Sequence, residues 1–311
     1  MGEYHVRGGN RLTGALRIGG AKNAVLPILA STVLSGGKSV IHNCPLIADT
    51  FVTIEVLEAI GCKVTLEKST VTVDSAPAFR YELPEEQVKK MRSSIIFLGG
   101  TLGRFGRARI GYPGGCNLGL RPIDLHLRGL KALGAEITEE HGFITCAANR
   151  LKGAAVNLDF PSVGATENIM IAAAAAEGTT VITNAAREPE IADLAGFLNS
   201  MGASVTGAGT GRVVITGVSR LHDAEYRVMP DRIVAGTYLT AAAITGGQIE
   251  LTDVVTEHLE PILSKLEEAG CETRKTKDTV QLTAPGRLKP IAQMRTLPHP
   301  GFPNCNKGSR L

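Results

Sequence analysis

The chain has no tryptophan among its 311 residues, and aromatic side chains of all kinds make up only 4% of it. The hydrophobic core must therefore be built from aliphatic residues, chiefly Ala, Val, Ile and Leu. Glycine is frequent instead, at 36 residues. This frequency favours many tight turns between short elements, as in an α/β protein.

Closely spaced cysteine pairs are also missing. None of the six cysteines forms a Cys-X-X-Cys pair, which disfavours a structural zinc site, and six are too few for a disulfide scaffold in a chain of this length. We expect reduced thiols, as in a cytoplasmic protein. The six are Cys44, Cys62, Cys116, Cys146, Cys271 and Cys305.

Long apolar runs and dense basic patches are absent too. The most apolar stretch, Ile169 to Ala176, is too short to span a bilayer, and residues 1–6 do not resemble a signal peptide. The 33 basic and 30 acidic residues are scattered, without interleaved aromatics. This distribution disfavours nucleic-acid and membrane partners and fits a few cationic side chains aimed at a small anionic molecule.

An internal repeat organises the rest of the chain. Four segments share a helical apolar run, then a glycine, then the start of a strand, and the glycines recur at intervals of 73, 68 and 68 residues. Such a regular interval favours a repeated unit over chance similarity between helix–glycine–strand joints. Each glycine is expected to end its helix in a left-handed conformation. The four are Gly61, Gly134, Gly202 and Gly270.

Each repeat also contains an earlier helix rich in small residues, which we expect to lie in the interior. A fifth copy begins near Met294 and breaks off in a polar tail, 304–311, which we expect to be disordered. If the repeats gather in threes, three complete one domain and the fourth begins a second. That second domain would leave apolar surface uncovered, which predicts self-association. The predicted helices cover 24–34, 93–102, 168–176 and 234–244.

The first motif with chemical potential is Gly19-Gly20-Ala21-Lys22-Asn23. Glycines before a helix present backbone N–H groups, and Lys22 adds a positive charge, which together suit a phosphate or a carboxylate. An ordinary turn with an exposed lysine explains the same residues. Taken alone, this motif favours the ordinary turn.

The second motif runs from Tyr112 to His126 and surrounds Cys116 with three glycines. A loop thiol near Arg121 should have a lowered pKa and could act as a general acid or nucleophile. Arg121 could hold an anion, and Asp124 could accept hydrogen bonds from a sugar or a base. A passive cysteine is the alternative, and the Gly-Gly-Cys and Arg-Pro context favours a functional loop.

Two further motifs are less specific. The turn Ser162-Val163-Gly164 opens a helix and could bind a diphosphate, although a well-capped helix start explains it equally well. Arg232 follows Asp231 near the junction of the two repeat sets, where a ligand could bind. A surface salt bridge is the commoner use of such a residue.

Together these strings resemble the UDP-N-acetylglucosamine enolpyruvyl transferase (1-carboxyvinyltransferase) family, in the family's order, from about Gly8 to Pro303. The resemblance implies an inside-out α/β barrel fold of enolpyruvyl transferase type, with three repeats in each domain. Residues 22–229 would form one complete three-repeat domain with the Cys116 loop. Residues 1–21 and 230–311 would form an incomplete second domain.

The resemblance also implies an activity: transfer of enolpyruvate from phosphoenolpyruvate to the 3′-hydroxyl of UDP-N-acetylglucosamine, with release of phosphate. This is a cytoplasmic step of peptidoglycan synthesis, and it serves cell-wall biogenesis, cell shape and cell division. No cofactor is implied. Cys116 would be catalytic, and the implied substrate-binding residues are Lys22, Asn23, Arg92, Arg121, Pro122, Ile123, Asp124, Leu125, Ser162, Val163, Gly164 and Arg232.

The sequence departs from the family pattern after Pro303. The family has Thr-Asp, with the aspartate as the expected base, where this chain has Asn304 and Cys305. Phe160 stands where some members have lysine. These departures leave a second hypothesis open: a truncated, catalytically inactive remnant or a UDP-sugar-binding module. A shikimate-phosphate enolpyruvyl transferase is a third, which the Cys116 loop and the Arg121 to Leu125 string disfavour.

Overall fold

A computed structural model describes residues 3, 5, 7–114, 123–291, 299 and 301. These residues divide into two compact units. The larger unit is Gly20–Met229, and the smaller unit contains the described residues up to Gly19 together with those from Pro230 onward. The expected fifth copy and the polar tail 304–311 lie outside the described residues, apart from His299 and Gly301.

The larger unit contains seven α-helices and eleven strands within the described residues. The helices are α1 (Lys22–Ser31), α2 (Ala48–Ala59), α3 (Glu85–Lys90), α4 (Phe97–Phe105), α5 (Asp124–Ala132), α6 (Val163–Ala174) and α7 (Pro189–Ser200). A 3₁₀ segment, Arg92–Ile96, leads directly into α4. The strands are β2 (Lys38–His42), β3 (Lys63–Glu67), β4 (Thr70–Asp74), β5 (Arg107–Gly111), β6 (Glu136–Glu140), β7 (Phe143–Ala147), β8 (Ala155–Asn157), β9 (Thr179–Thr183), β10 (Ser204–Thr206), β11 (Arg212–Thr216) and β12 (Glu225–Arg227).

Three sheets are built from these strands, in the orders β12-β2-β4-β3, β5-β7-β6 and β10-β11-β9-β8. Each sheet contains an antiparallel hairpin that closes its repeat, namely β3–β4, β6–β7 or β10–β11. Two of the sheets add a parallel strand, in the pairs β12–β2 and β8–β9. The third has a parallel bridge between Glu82 and Arg109 at the equivalent edge.

The helices α1, α4 and α6 pack against one another in the middle of the larger unit. All residues of α6 from Ala165 to Ala174 are buried. The helices approach closely because two glycines of α4 leave room: a Cβ on Gly99 would lie 2.5 Å from the Asn168 carbonyl oxygen. A Cβ on Gly100 would lie 2.8 Å from the Ala30 carbonyl oxygen. Small side chains thus place helices at the centre, while strands such as β6 expose one face.

The repeat glycines behave as the sequence predicts. Gly61, Gly134, Gly202 and Gly270 have φ angles of 104°, 92°, 96° and 95°, and each follows a helix within two residues. A residue with a side chain is strained in this left-handed region, whereas glycine is not. The four helix ends therefore share one conformation, which confirms this part of the repeat.

The smaller unit contains one copy of the repeat. Its elements are β1 (Thr13–Arg17), α8 (Arg232–Ile244), β13 (Gln248–Thr252), α9 (Glu260–Glu268), β14 (Glu272–Lys275) and β15 (Thr279–Thr283), and its sheet has the order β1-β13-β15-β14. Its core is small and includes Leu239, Leu251 and Leu263. Helix α8 keeps large apolar side chains exposed, with Tyr238 at 42% and Ile244 at 75%. Within the described residues, every helix is too short or too polar to cross a bilayer.

The chain passes between the two units twice. Strand β1 precedes the larger unit but pairs in parallel with β13 of the smaller unit. Strand β12 precedes the smaller unit but pairs in parallel with β2 of the larger unit. At the two passages, Ala21 N donates to Met229 O, and Asp231 N donates to Gly19 O. Within the described residues, the larger unit is therefore one continuous stretch of chain, whereas the smaller unit is built from two separate stretches.

Candidate functional site

The N-terminus of α6 presents backbone donors. Ser162 is the N-cap residue, and its Oγ accepts a hydrogen bond from Ala165 N at 3.4 Å. Among the described residues, none accepts a hydrogen bond from the N–H groups of Val163 and Gly164. Free first-turn donors and the helix dipole both favour an anion at this position. Ser162 therefore caps the helix, which is one of the two uses weighed from sequence, and the binding of a diphosphate at this turn stays a prediction.

His126 lies against this turn. Its side chain comes from the first turn of α5 and is only 7% exposed. A Cβ on Gly164 would lie 3.1 Å from its Cε1 and 3.3 Å from its Nε2. A larger residue in place of Gly164 would crowd the imidazole ring, since real Cβ contacts are rarely this short. The glycine of the Ser-Val-Gly turn is thus needed for the packing of His126.

Asn168 fixes the other side of the imidazole. Its Oδ1 accepts from Gly99 N at 2.7 Å, and its Nδ2 lies 3.1 Å from Ile95 O. The same Nδ2 lies 3.1 Å from His126 Nδ1. Because Asn168 is fully buried on α6, it joins α5, α6 and the segment that leads into α4. These partners satisfy both donors of the amide and give its oxygen a donor.

Two of the residues selected from sequence act electrostatically on His126. Burial, as the larger cause, and the Arg92 cation together lower the pKa of His126 to about 4, while the Asp124 carboxylate opposes the shift. Arg92 begins the 3₁₀ segment and is half-buried, and Asp124 begins α5 and is exposed. The structure therefore brings Arg92, Asp124 and Gly164 together around a neutral His126.

Lys22 and Asn23 occupy the start of α1, as the glycine-rich motif predicts, and both are exposed. Lys22 forms an ion pair with Asp49 of α2. Helix α1 contacts both α6 and the 3₁₀ segment that begins with Arg92. The lysine is thus accessible to an anion and already has a carboxylate partner.

Three predicted residues of the loop, Cys116, Arg121 and Pro122, lie outside the described residues. Ile123 is the N-cap residue of α5, and Ile123 and Leu125 are half-buried against the core of the larger unit. The loop that precedes α5 therefore ends beside His126. The roles assigned to Cys116 and Arg121 stay predictions.

Arg232 belongs to the smaller unit, where it is the first residue of α8. The preceding Asp231 caps this helix, because its Oδ1 accepts from Ile233 N at 2.8 Å and from Val234 N at 3.0 Å. This carboxylate therefore has a structural use. The binding role assigned to Arg232 stays a prediction.

Sequence reasoning missed Glu167, which is 3% exposed beside Asn168. Within the described part of the chain its Oε1 has no hydrogen-bond partner. Burial raises its pKa well above the ordinary value, and the carboxylates of Glu190 and Glu188 raise this pKa further. A charged residue inside an alanine-rich helix was the available signal. The described residues contain no group of three or more His, Cys, Asp or Glu side chains that could hold a metal ion.

Comparison with known proteins first defines the class. Residues 6–307 match the family model for EPSP synthase (3-phosphoshikimate 1-carboxyvinyltransferase). The fold is similar to the enolpyruvyl transferase NikO from Streptomyces tendae, with a TM-score of 0.83 at 24% identity over 95% of this chain and 71% of that one. It is also similar to EPSP synthase from Acinetobacter baumannii, with a TM-score of 0.69 at 20% identity over 91% and 67% of the two chains. The fold is that of an enolpyruvyl transferase.

Curated relatives then define the branch. The chain is 53% identical over 303 residues to UDP-N-acetylglucosamine 1-carboxyvinyltransferase 2 of Caldanaerobacter subterraneus subsp. tengcongensis, covering 97% of this chain and 73% of that protein. It is 51% identical over 305 residues to the protein of the same name from Carboxydothermus hydrogenoformans, with the same coverage. The chain belongs to the UDP-N-acetylglucosamine 1-carboxyvinyltransferase family, which confirms the resemblance seen in its motifs.

Proposed function

We propose that this chain transfers an enolpyruvyl group from phosphoenolpyruvate to the 3′-hydroxyl of UDP-N-acetylglucosamine, with release of phosphate. The observation that carries the proposal is the 53% identity, over 97% of the chain, to a protein named for this reaction. The reaction belongs to peptidoglycan synthesis, and its cytoplasmic location and its service to cell shape and division are part of the proposal.

The chemistry needs an acid, a base and charge neutralisation. The sugar 3′-hydroxyl gives up its proton to a base as its oxygen bonds to C2 of phosphoenolpyruvate, and a proton adds to C3, which gives a tetrahedral intermediate. Loss of phosphate from C2 and of a proton from C3 then restores the C2–C3 double bond, which now belongs to an enol ether of the sugar. Cys116 would supply the proton to C3, because a thiol near Arg121 can exchange protons near neutral pH.

Cationic side chains would hold phosphoenolpyruvate. Lys22, Arg92 and Arg121 are proposed to neutralise its phosphate and carboxylate. Fixed charges stabilise the charge that develops in the transition state better than water does, because they need no reorganisation. The accessible Lys22 and the half-buried Arg92 support two of these three assignments.

Backbone donors and short polar side chains would hold the sugar nucleotide. The free N–H groups of Val163 and Gly164 support a diphosphate at the start of α6. Asp124 acts electrostatically on His126, which packs against Gly164, and its carboxylate could accept hydrogen bonds from the sugar or the base. The remaining proposed contacts come from Asn23, Arg121, Pro122, Ile123, Leu125, Ser162 and Arg232.

The finer architecture is proposed in the same way. The central helices and outer sheets of the larger unit support an inside-out barrel in which 22–229 is the complete three-repeat domain. Residues 1–21 and 230–311 would be the partial second domain. The exposed apolar side chains of α8 support self-association through that domain.

Phosphate release tests the function. The 311-residue chain is mixed with phosphoenolpyruvate and UDP-N-acetylglucosamine, and we expect phosphate only when both are present. Cys116→Ala should abolish release, while Cys146→Ala, a substitution of a buried thiol in β7, should retain it. Binding of UDP-N-acetylglucosamine with no phosphate release from the unmodified chain would contradict the transferase and favour a sugar-nucleotide-binding module.

A further inference from the structure

We propose that His126 is a ligand-binding residue that carries its only ring proton on Nε2 and donates a hydrogen bond through it to a diphosphate oxygen of the sugar nucleotide at the start of α6. The identity of the ligand rests on the proposed function. The position of the proton does not, because it follows from hydrogen bonds within the larger unit.

Backbone partners of Asn168 determine the direction of its hydrogen bond with His126. Gly99 N–H can only donate, so the Asn168 atom that it contacts at 2.7 Å must be the amide oxygen. The Ile95 carbonyl can only accept, so its partner at 3.1 Å must be the amide nitrogen. These two backbone groups fix the orientation of the Asn168 amide. Its Nδ2 must therefore donate to His126 Nδ1 at 3.1 Å as well.

An Nδ1 atom that accepts a hydrogen bond carries no proton. Burial and the Arg92 cation also keep the imidazole neutral, because they lower its pKa to about 4 against the opposing Asp124 carboxylate. A neutral imidazole has one N–H group, and with Nδ1 occupied as an acceptor that group is Nε2–H. The Asn168 amide thus selects the tautomer.

The Nε2–H group lies beside the free end of α6. Nε2 is 3.3 Å from the position that a Gly164 Cβ would take. No described residue accepts a hydrogen bond from Nε2, although the ring is only 7% exposed. An anionic oxygen placed on the N–H groups of Val163 and Gly164 would accept a hydrogen bond from this Nε2–H group.

A neutral donor suits this position better than an imidazolium. Arg92 already provides a fixed positive charge nearby, and a second cation would be repelled by it in the absence of ligand. A neutral Nε2–H adds a directed hydrogen bond without that repulsion. Its contribution to binding should therefore stay constant from pH 8 down to about 5.5, which lies above the pKa of His126.

Nitrogen NMR tests the tautomer directly. In protein labelled with ¹⁵N-histidine, we expect His126 to show a protonated Nε2 and an unprotonated Nδ1 throughout pH 5.5 to 8. Addition of UDP-N-acetylglucosamine should then shift the Nε2 and Nε2–H signals. A protonated Nδ1, an imidazolium in this range, or no shift at saturating UDP-N-acetylglucosamine would each overturn the proposal.

A matched pair of variants tests the hydrogen bond. His126→Asn keeps a side-chain acceptor near Asn168 but is too short to reach the Gly164 turn, whereas His126→Gln reaches that turn with an amide donor. We expect His126→Asn to weaken UDP-N-acetylglucosamine binding in calorimetry by roughly 3- to 10-fold. His126→Gln should recover most of the affinity. Equal affinity of both variants and the unmodified protein would overturn the role.

The two proposals fail in different ways. If the unmodified chain does not bind UDP-N-acetylglucosamine, the proposed function fails while the NMR tautomer can still be as predicted. If it binds and releases phosphate but the Nε2 signals do not respond, only the role of His126 fails. Thermal unfolding of both variants, measured without ligand, separates lost binding from lost folding, and the NMR titration needs no variant.

Discussion

Helices α6 and α8 occupy the same place in two copies of one repeat, and their surroundings differ. Both are rich in alanine and follow a capping residue, Ser162 or Asp231. The ten residues of α6 from Ala165 to Ala174 are all buried. In α8 only four are buried, and Ile244 is 75% exposed.

The difference shows that burial comes from the number of copies around the helix. In the larger unit, α1, α4 and α6 cover one another. In the smaller unit, α8 contacts α9, its own sheet and a short 3₁₀ segment. The same sequence pattern therefore gives a core helix in one unit and a half-exposed helix in the other.

The largest expected difference is between two isoleucines. Ile171 of α6 is fully buried, so Ile171→Ala should lower the free energy of unfolding by about 2–5 kcal/mol, because it removes apolar contacts and leaves a cavity. Ile244→Ala on α8 is the matched control and should change it by less than about 0.5 kcal/mol. Urea unfolding followed by circular dichroism measures both. Similar losses for the two variants would show that α8 is as enclosed as α6.

A pair of glycines gives the next difference. A Cβ on Gly99 of α4 would lie 2.5 Å from a backbone oxygen, so Gly99→Ala should cost about 1–3 kcal/mol through overpacking. A Cβ on Gly236 of α8 would lie no closer than 3.9 Å to any neighbour. Gly236→Ala should therefore stabilise its helix by about 0.5–1 kcal/mol. Thermal unfolding measures both signs, and destabilisation by Gly236→Ala would mean that α8 is closely packed there.

The smallest expected difference is between the two N-caps. Asp231 Oδ1 accepts two hydrogen bonds, at 2.8 and 3.0 Å, whereas Ser162 Oγ accepts one at 3.4 Å. We expect Asp231→Ala to destabilise α8 by about 1 kcal/mol and Ser162→Ala to destabilise α6 by about half as much. Hydrogen exchange of the first-turn amides measures each helix by itself. Asp231→Ser should restore most protection, and a larger effect at Ser162 would contradict the order.

The repeat was predictable from sequence because its signals are local. Glycines at a regular interval mark helix ends, and all four adopt the positive φ that this role requires. Runs of small residues predicted interior helices, which is correct for α6 and only partly correct for α8. The exposure of α8 depends on how many copies pack around it, and no local pattern contains that information.

The candidate site was predictable in its motifs and not in its connections. Asp124 and Gly164 came from separate motifs and Arg92 from the family resemblance, and His126 links the three in space. Residue 168 begins one of the predicted helices, but Asn168 received no role. Its hydrogen bonds are made with Gly99 and Ile95, about seventy residues earlier in the chain. Glu167 escaped notice because a glutamate in a helix is ordinarily exposed.

The parallel pairing of β1 with β13 has a consequence for how the chain reaches its native state. Arg17 and its partner Asp253 are separated by 236 residues, whereas Asn157 and its partner Thr183 in the β8–β9 pair are separated by 26. During synthesis from the N-terminus, β1 has no partner strand until the whole larger unit, and then α8, have been made. In the folded larger unit, Ala21 N donates to Met229 O, so its two ends lie close together. Folding of this unit before β1 pairs with β13 would therefore shorten the effective loop and lower the entropy cost of this late closure.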